Sequence, residues 1–105
     1  MNKYTELSDF EINKKVAEYL KLNTIAYERT EMVLFDDMDA TPFDPCNNPS
    51  DAMPIINEYG ISLIYQDRKF QFATNDGNIE CCIANPLKAA MIIFLCMKDA
   101  ENEKV

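Results

Sequence analysis

The stretch NPLKAAMIIFLCMK, residues 85–98, decides the fold of this chain. Nine consecutive residues within it, 89–97, are apolar, and a lysine stands on each side of them. Asn85 followed by Pro86 is typical of a helix start, because Asn caps the first turn and Pro suits the first helical position. A membrane-spanning helix needs about 20 apolar residues. The stretch therefore predicts a buried helix from Pro86 to about Asp99, not a membrane anchor.

This predicted helix is apolar nearly all round, so it has more than one face to bury. It either lies at the centre of the fold or packs against the same helix of a second copy. For the homodimer we expect Ile92 and Leu95 to lie in the interface. The sequence leaves both arrangements open.

Two further helices precede it. Ser8 followed three residues later by Glu11 forms a capping box, which predicts a helix over about residues 9–22. Asn48 followed by proline marks a second helix start. This shorter helix is expected to run to Tyr59, and Gly60 then supplies a left-handed stop.

Alternating apolar residues between the helices predict antiparallel strands. Residues 24–35 supply one or two strands, and residues 61–65, 70–74 and 79–83 supply three more, separated by polar turns. The predicted fold is therefore a single α+β domain over residues 1–105. An antiparallel three- to four-stranded meander packs against the N-terminal and C-terminal helices, with a short middle helix.

The composition excludes several kinds of chemistry. The 105 residues include no His, no Trp and only two Gly. A phosphate-binding loop or a dinucleotide-binding turn needs several closely spaced glycines, and the Ser-His and Cys-His nucleophile pairs need an imidazole. We expect no enzymatic activity, no catalytic residues, no bound metal and no cofactor. The alternative is a cation site at residues 36–39, where three Asp residues cluster, although that stretch lacks the glycine and glutamate of an EF-hand.

The net charge of −8 is confined to one segment of the chain. Residues 30–67 contain eight acidic residues and no Lys or Arg, whereas the rest of the chain holds ten of each sign. Negative charge repels nucleic-acid phosphates and anionic membranes and attracts basic proteins. We therefore expect a basic protein partner, with no direct nucleic-acid binding and no membrane association.

Apolar residues are interspersed among these acids, within and beside a long proline-rich loop at about residues 36–50. Charged groups that attract a partner, together with apolar groups that pack against it, are typical of a protein-binding surface. The alternative is an acidic loop that only keeps the protein soluble. The predicted partner-binding residues are Glu31, Asp36, Asp37, Asp39, Phe43, Asp44, Asp51 and Met53.

Several long motifs resemble one protein family. The stretches YTELSDFEINK (4–14), FDPCNNPSDAMPII (43–56), YGISL (59–63) and NPLKAAMIIFL (85–95) are similar to the NinX-like family, small proteins of lambdoid phages and enterobacterial prophages. The likeness is weakest over residues 24–41. Met53 also stands where relatives usually carry Trp, and the turn at 67–69 lacks their Gly-rich, Trp-containing stretch. The resemblance implies a phage accessory protein in the cytoplasm of an infected or lysogenic bacterium, and it supplies no catalytic residues.

The leading functional hypothesis is thus a non-enzymatic phage or prophage protein that binds a basic host or phage protein through its acidic segment. The hypothesis includes mimicry of nucleic acid and inhibition of bacterial defence, as in anti-CRISPR proteins. The alternative is a structural homodimer assembled through the apolar C-terminal helix, without an acidic-patch target.

Overall fold

The computed structural model describes residues 3–77 and 79–103. Within them, three α-helices and two antiparallel sheets form an α+β fold, which confirms the predicted class. The elements, after a 3-10 turn at Lys3–Glu6, are α1 (Asp9–Leu20), β1 (Thr24–Tyr27), β2 (Met32–Phe35), α2 (Pro49–Tyr59), β3 (Ser62–Gln66), β4 (Lys69–Asn75), β5 (Ile79–Cys81) and α3 (Pro86–Glu103).

Helix α3 lies at the centre of the fold. All five side chains from Met91 to Leu95 are completely buried, and the helix packs against α1, α2 and the three strands β3 to β5. Ile92 and Leu95 belong to this buried set, so the prediction that they form a dimer interface is wrong. The surrounding elements of the same chain already cover both side chains.

The predicted helix starts are confirmed. The Ser8 hydroxyl accepts a hydrogen bond from the Glu11 amide, and the Glu11 carboxylate accepts one from the Ser8 amide, which completes the capping box. Asn48 caps α2 by accepting from the Ser50 amide, and Asn85 caps α3 by accepting from the Leu87 amide. Each cap satisfies amides that the first turn of a helix leaves without a partner.

Two helix ends differ from the sequence-based bounds. Helix α1 ends at Leu20, two residues early, because Lys21 adopts a left-handed conformation (φ 58°) and its amide bonds back to the carbonyls of Ala17 and Glu18. Helix α3 continues past Asp99 to Glu103, since no glycine or proline follows to stop it.

The strands form two sheets instead of one. Strands β3, β4 and β5 make the predicted three-stranded meander. Among the strands of the described residues, β1 and β2 pair with each other alone and form a separate hairpin. Residues 41–43 run along the other edge of β2. There the Phe35 amide donates to the Thr41 carbonyl at 2.8 Å, and the Phe43 amide donates to the Val33 carbonyl at 2.8 Å.

The turn between β3 and β4 offers a stabilising substitution. Gln66 and Lys69 pair across a two-residue loop in which both Asp67 (φ 54°) and Arg68 (φ 68°) are left-handed. Such turns favour Asp-Gly, because glycine adopts positive φ without a steric penalty. We expect Arg68→Gly to raise the free energy of unfolding by about 0.5–1 kcal/mol. Urea denaturation checks this, and a loss of stability would contradict the assigned turn.

Asp99 joins the N-terminal part of the chain to α3. Its carboxylate accepts hydrogen bonds from the Tyr4 and Tyr19 hydroxyls and lies 3.5 Å from the Lys3 ammonium. Burial opposes ionisation of Asp99, but the bonds from Tyr19 and Tyr4, together with Lys3, keep the pKa of its carboxyl below the usual range. The ionised carboxylate therefore stabilises the folded state.

This arrangement predicts a pH effect. Because folding lowers the pKa of Asp99, its contribution is fully present above the ordinary pKa of about 4 and is lost as the pH falls through the lower folded value. Asp99→Asn should therefore be less stable than the native chain near neutral pH, with the difference shrinking on acidification. Urea titrations at pH about 7 and about 3 measure it. An equal difference at both pH values would contradict the assignment.

Candidate protein-binding surface

A buried side chain organises the loop that carries several predicted site residues. Asn13, on α1, is only 5% exposed. Its Nδ2 donates to Asp44 Oδ1 at 2.7 Å, and its Oδ1 accepts from the Cys46 amide at 3.1 Å. Asn13 thus uses both ends of its amide to hold residues 44–46 against α1.

The same loop also reaches the first turns of α1 and α3. Asn47 Nδ2 donates to Asp9 Oδ2 at 3.0 Å, and Lys88 Nζ lies 3.0 Å from Asp9 Oδ1. The bond from Asn47, followed by the contact with Lys88, keeps the pKa of Asp9 below its usual value despite burial. Asn85 Nδ2 donates to the Cys46 carbonyl at 2.7 Å. The loop therefore ties the beginnings of two helices together.

These contacts change the interpretation of three predicted binding residues. Asp44 accepts from Asn13, and Asp51 accepts from the Asp44 amide at 2.9 Å, so both carboxylates hold the loop in place. Phe43 is only 4% exposed, because its pairing with Val33 puts it on the inner face of the hairpin. Phe43 therefore does not project from the surface as the predicted anchor; its ring instead lines a recess beside the hairpin.

The other predicted residues lie on the surface. Glu31, Asp36, Asp37 and Asp39 are exposed, and Met53, on α2, is 39% exposed. These four carboxylates sit on the turn before β2 and on the loop after it.

The loop after β2 is an ordered turn. Asp37 Oδ1 accepts from the amides of Asp39 at 3.0 Å and Ala40 at 2.7 Å. Between these residues, Met38 projects fully into solvent. The turn therefore presents an apolar side chain among carboxylates.

The hairpin adds apolar surface that the sequence-based prediction missed. Ile25 pairs with Leu34 and Tyr27 pairs with Met32, so these four side chains share one face of the two-stranded sheet. Ile25, Tyr27 and Met32 are 41%, 45% and 42% exposed, and Leu34 is half-buried. The opposite face, which includes the buried Val33, packs on the core. We call the four residues the hairpin face.

The exposed acidic residues lie at both ends of the hairpin that carries the hairpin face. Glu31 lies at the turn end of the hairpin, and the acidic loop lies at its other end, after Phe35. Within the described residues, β1 pairs with no strand except β2, so no strand adds to its outer edge. Exposed apolar patches and open strand edges are typical of protein contacts. We call the hairpin face together with Glu31, Asp36, Asp37 and Asp39 the hairpin surface.

The thiols, the acidic side chains and the helices were also compared with what a reactive cysteine, a metal site or a membrane span requires. Burial raises the pKa of the Cys46 and Cys81 thiols, which disfavours the reactive thiolate. In residues 3–77 and 79–102, no group of three or more acidic or thiol side chains is placed to hold a metal ion. In the same part of the chain, no helix is both long and apolar enough to cross a membrane.

The chain was compared with known protein families, curated proteins and solved structures. Residues 3–98 match the family described as Bacteriophage P22, NinX. No curated protein and no solved structure matches the chain. The matched region includes every residue of the hairpin surface, as well as Asn13 and the loop that it holds.

Proposed function

The chain belongs to the Bacteriophage P22 NinX family, and we propose that it is a non-enzymatic phage or prophage accessory protein that binds a basic protein of the host or the phage. The observation that carries the proposal is the hairpin surface, where four exposed carboxylates flank an exposed apolar face. Residues 30–67 contain no lysine or arginine, and Arg29 lies in the hairpin turn two residues before Glu31.

The two components of the surface have different roles in binding. The carboxylates attract a basic partner over long distances and speed its encounter with the chain. The apolar side chains then exclude water at the contact and slow dissociation, with Tyr27 the type of residue that often dominates binding energy. Binding is therefore expected to weaken with salt without being abolished by it.

The kind of partner that fits this surface is a nucleic-acid-binding protein. Such proteins carry basic surfaces that pair with phosphates, and carboxylates can occupy the same surfaces. The proposal thus includes inhibition by mimicry of nucleic acid, with a bacterial defence protein as one target class. The alternative is a homodimer that assembles through α3. Ile92 and Leu95, the residues expected in its interface, are completely buried within the chain and are not exposed to a second copy.

A comparative capture experiment tests the proposal. The native chain is immobilised and exposed to lysate of phage-infected bacteria, beside the triple variant Asp36→Asn, Asp37→Asn, Asp39→Asn. Asp44 is left unchanged because it holds the loop through Asn13.

The matched control loses the same charge elsewhere. It carries Glu58→Gln, Asp76→Asn and Glu80→Gln, three exposed positions outside the hairpin surface. We expect a basic protein to bind the native and control chains and to be lost from the triple variant. Equal retention by all three chains would overturn the proposal.

A further inference from the structure

A small cavity opens beside the hairpin surface. It lies between the first turns of α1, the start of β2 and the loop at residues 42–47, and its volume is about 190 Å³. Phe10, Val33 and Phe43 contribute apolar walls. Asp9, which is paired with Lys88, contributes one carboxylate.

Two further carboxylates line this cavity without a cationic partner. Asp44 receives hydrogen bonds only from the neutral amides of Asn13 and Asn47 and from no lysine or arginine of the described chain. Glu31 makes no hydrogen bond and no ion pair within the described residues, and Lys14 and Arg29 line the neighbouring depression that Glu31 shares. The lining itself includes no lysine or arginine from the described part of the chain. The cavity therefore combines apolar walls with two carboxylates, Glu31 and Asp44, that make no ion pair within the described residues.

The volume limits what can enter. Sites for drug-sized molecules enclose roughly 300–1,000 Å³, and this cavity, at about 190 Å³, is smaller. One long side chain of a bound protein fits this space, whereas a nucleotide does not.

We infer that this cavity receives an arginine side chain of the basic partner. The inference rests on the proposed function and names the side chain that the partner inserts. A guanidinium group is planar and weakly hydrated, so it can lie against the Phe10 and Phe43 walls at low desolvation cost. Its N–H groups can pair with the Glu31 and Asp44 carboxylates, both of which line the cavity. A lysine ammonium is more strongly hydrated and cannot stack in this way.

The test uses small analogues and the full chain, so it does not depend on isolating the partner. N-acetyl-arginine amide is titrated into the ¹⁵N-labelled protein, beside N-acetyl-lysine amide and the uncharged N-acetyl-citrulline amide. The side-chain amide resonances of Asn13 and Asn47 report directly on the cavity, because both amides bond to Asp44. We expect saturable shifts of both resonances with the arginine analogue, weaker binding of the lysine analogue and no saturable shift with citrulline.

A matched pair of variants locates the effect. Glu31→Gln removes a cavity carboxylate, whereas Glu80→Gln removes an exposed one on β5. We expect Glu31→Gln to raise the Kd of the arginine analogue by about two- to fivefold, as for one exposed charge pair, and Glu80→Gln to leave it unchanged. Equal effects of the two variants would overturn the inference.

Two other results would also overturn it. Citrulline or lysine binding as tightly as arginine would remove the guanidinium assignment, and absence of saturable shifts at Asn13 and Asn47 would remove the site. Neither result bears on the capture experiment, in which Asp36, Asp37 and Asp39 are changed and Glu31 is kept. Failure of the cavity assignment is therefore separable from failure of the proposed function.

Discussion

Replacing Asp36, Asp37 and Asp39 together with Asn is expected to weaken binding of the captured basic partner by about ten- to a hundredfold at low salt. The three carboxylates are exposed on one ordered turn, so a basic surface can approach all of them at once. Most of the loss should be in the association rate, because exposed charges mainly steer the encounter. Surface plasmon resonance with the purified partner measures both rates.

Measuring both affinities at several salt concentrations is the control for this prediction. Raising the ionic strength shortens the screening length to below about 10 Å, so the native and triple-variant affinities should converge. Asparagine retains the side-chain oxygen with which Asp37 accepts from Asp39 and Ala40, so the turn should persist in the variant. A triple variant that binds like the Glu58, Asp76 and Glu80 control would contradict the role of this turn.

Asn13→Leu is expected to lower the free energy of unfolding by about 3 kcal/mol. The substitution removes the donor for Asp44 and the acceptor for the Cys46 amide, and leucine leaves both polar groups without their buried partner. Leaving a buried polar group unsatisfied costs about 1–3 kcal/mol, and more when the group is charged. Urea denaturation at neutral pH measures the loss.

Asn57→Leu is the matched control, since Asn57 is exposed on α2. Its effect should stay within about 0.5 kcal/mol, as for most surface substitutions. If Asn13→Leu cost no more than this control, the loop at residues 44–46 would not depend on Asn13 for its position.

Local patterns predicted the helices well. Ser8, Asn48 and Asn85 each cap a helix where the sequence placed one, because capping depends only on residues within one turn. The nine apolar residues of α3 likewise predicted burial. They could not tell packing inside the chain from packing in a dimer, since a helix that is apolar all round fits both arrangements.

The hairpin face could not be predicted, because both faces of the hairpin are apolar. Residues 32–35 read Met-Val-Leu-Phe, so alternation does not distinguish the inner residues from the outer ones. The choice is made by pairing with residues 41–43, where Phe43 meets Val33 on the inner side. That pairing buried Phe43 and left Tyr27 and Met32 outside.

The sequence also could not show which acidic residues are structural and which are exposed. Asp44 and Asp39 are the same residue type in one loop, yet Asp44 holds the loop to α1 and Asp39 lies exposed. What separates them is Asn13, which lies 31 positions from Asp44 in the sequence. The number of acidic residues in the sequence located the acidic segment. The tertiary contacts were needed to show which of its carboxylates hold the loop and which are exposed.

Photocrosslinking in phage-infected bacteria tests most directly whether the hairpin surface contacts a basic protein. The photoreactive residue p-benzoylphenylalanine is placed at Tyr27 or Met38 on or beside that surface, and at Tyr65 on the separate three-stranded sheet as a control. All three side chains are exposed. The account predicts that one basic protein is crosslinked from positions 27 and 38 and not from position 65. A partner crosslinked only from position 65, or no crosslink from positions 27 and 38, would contradict it.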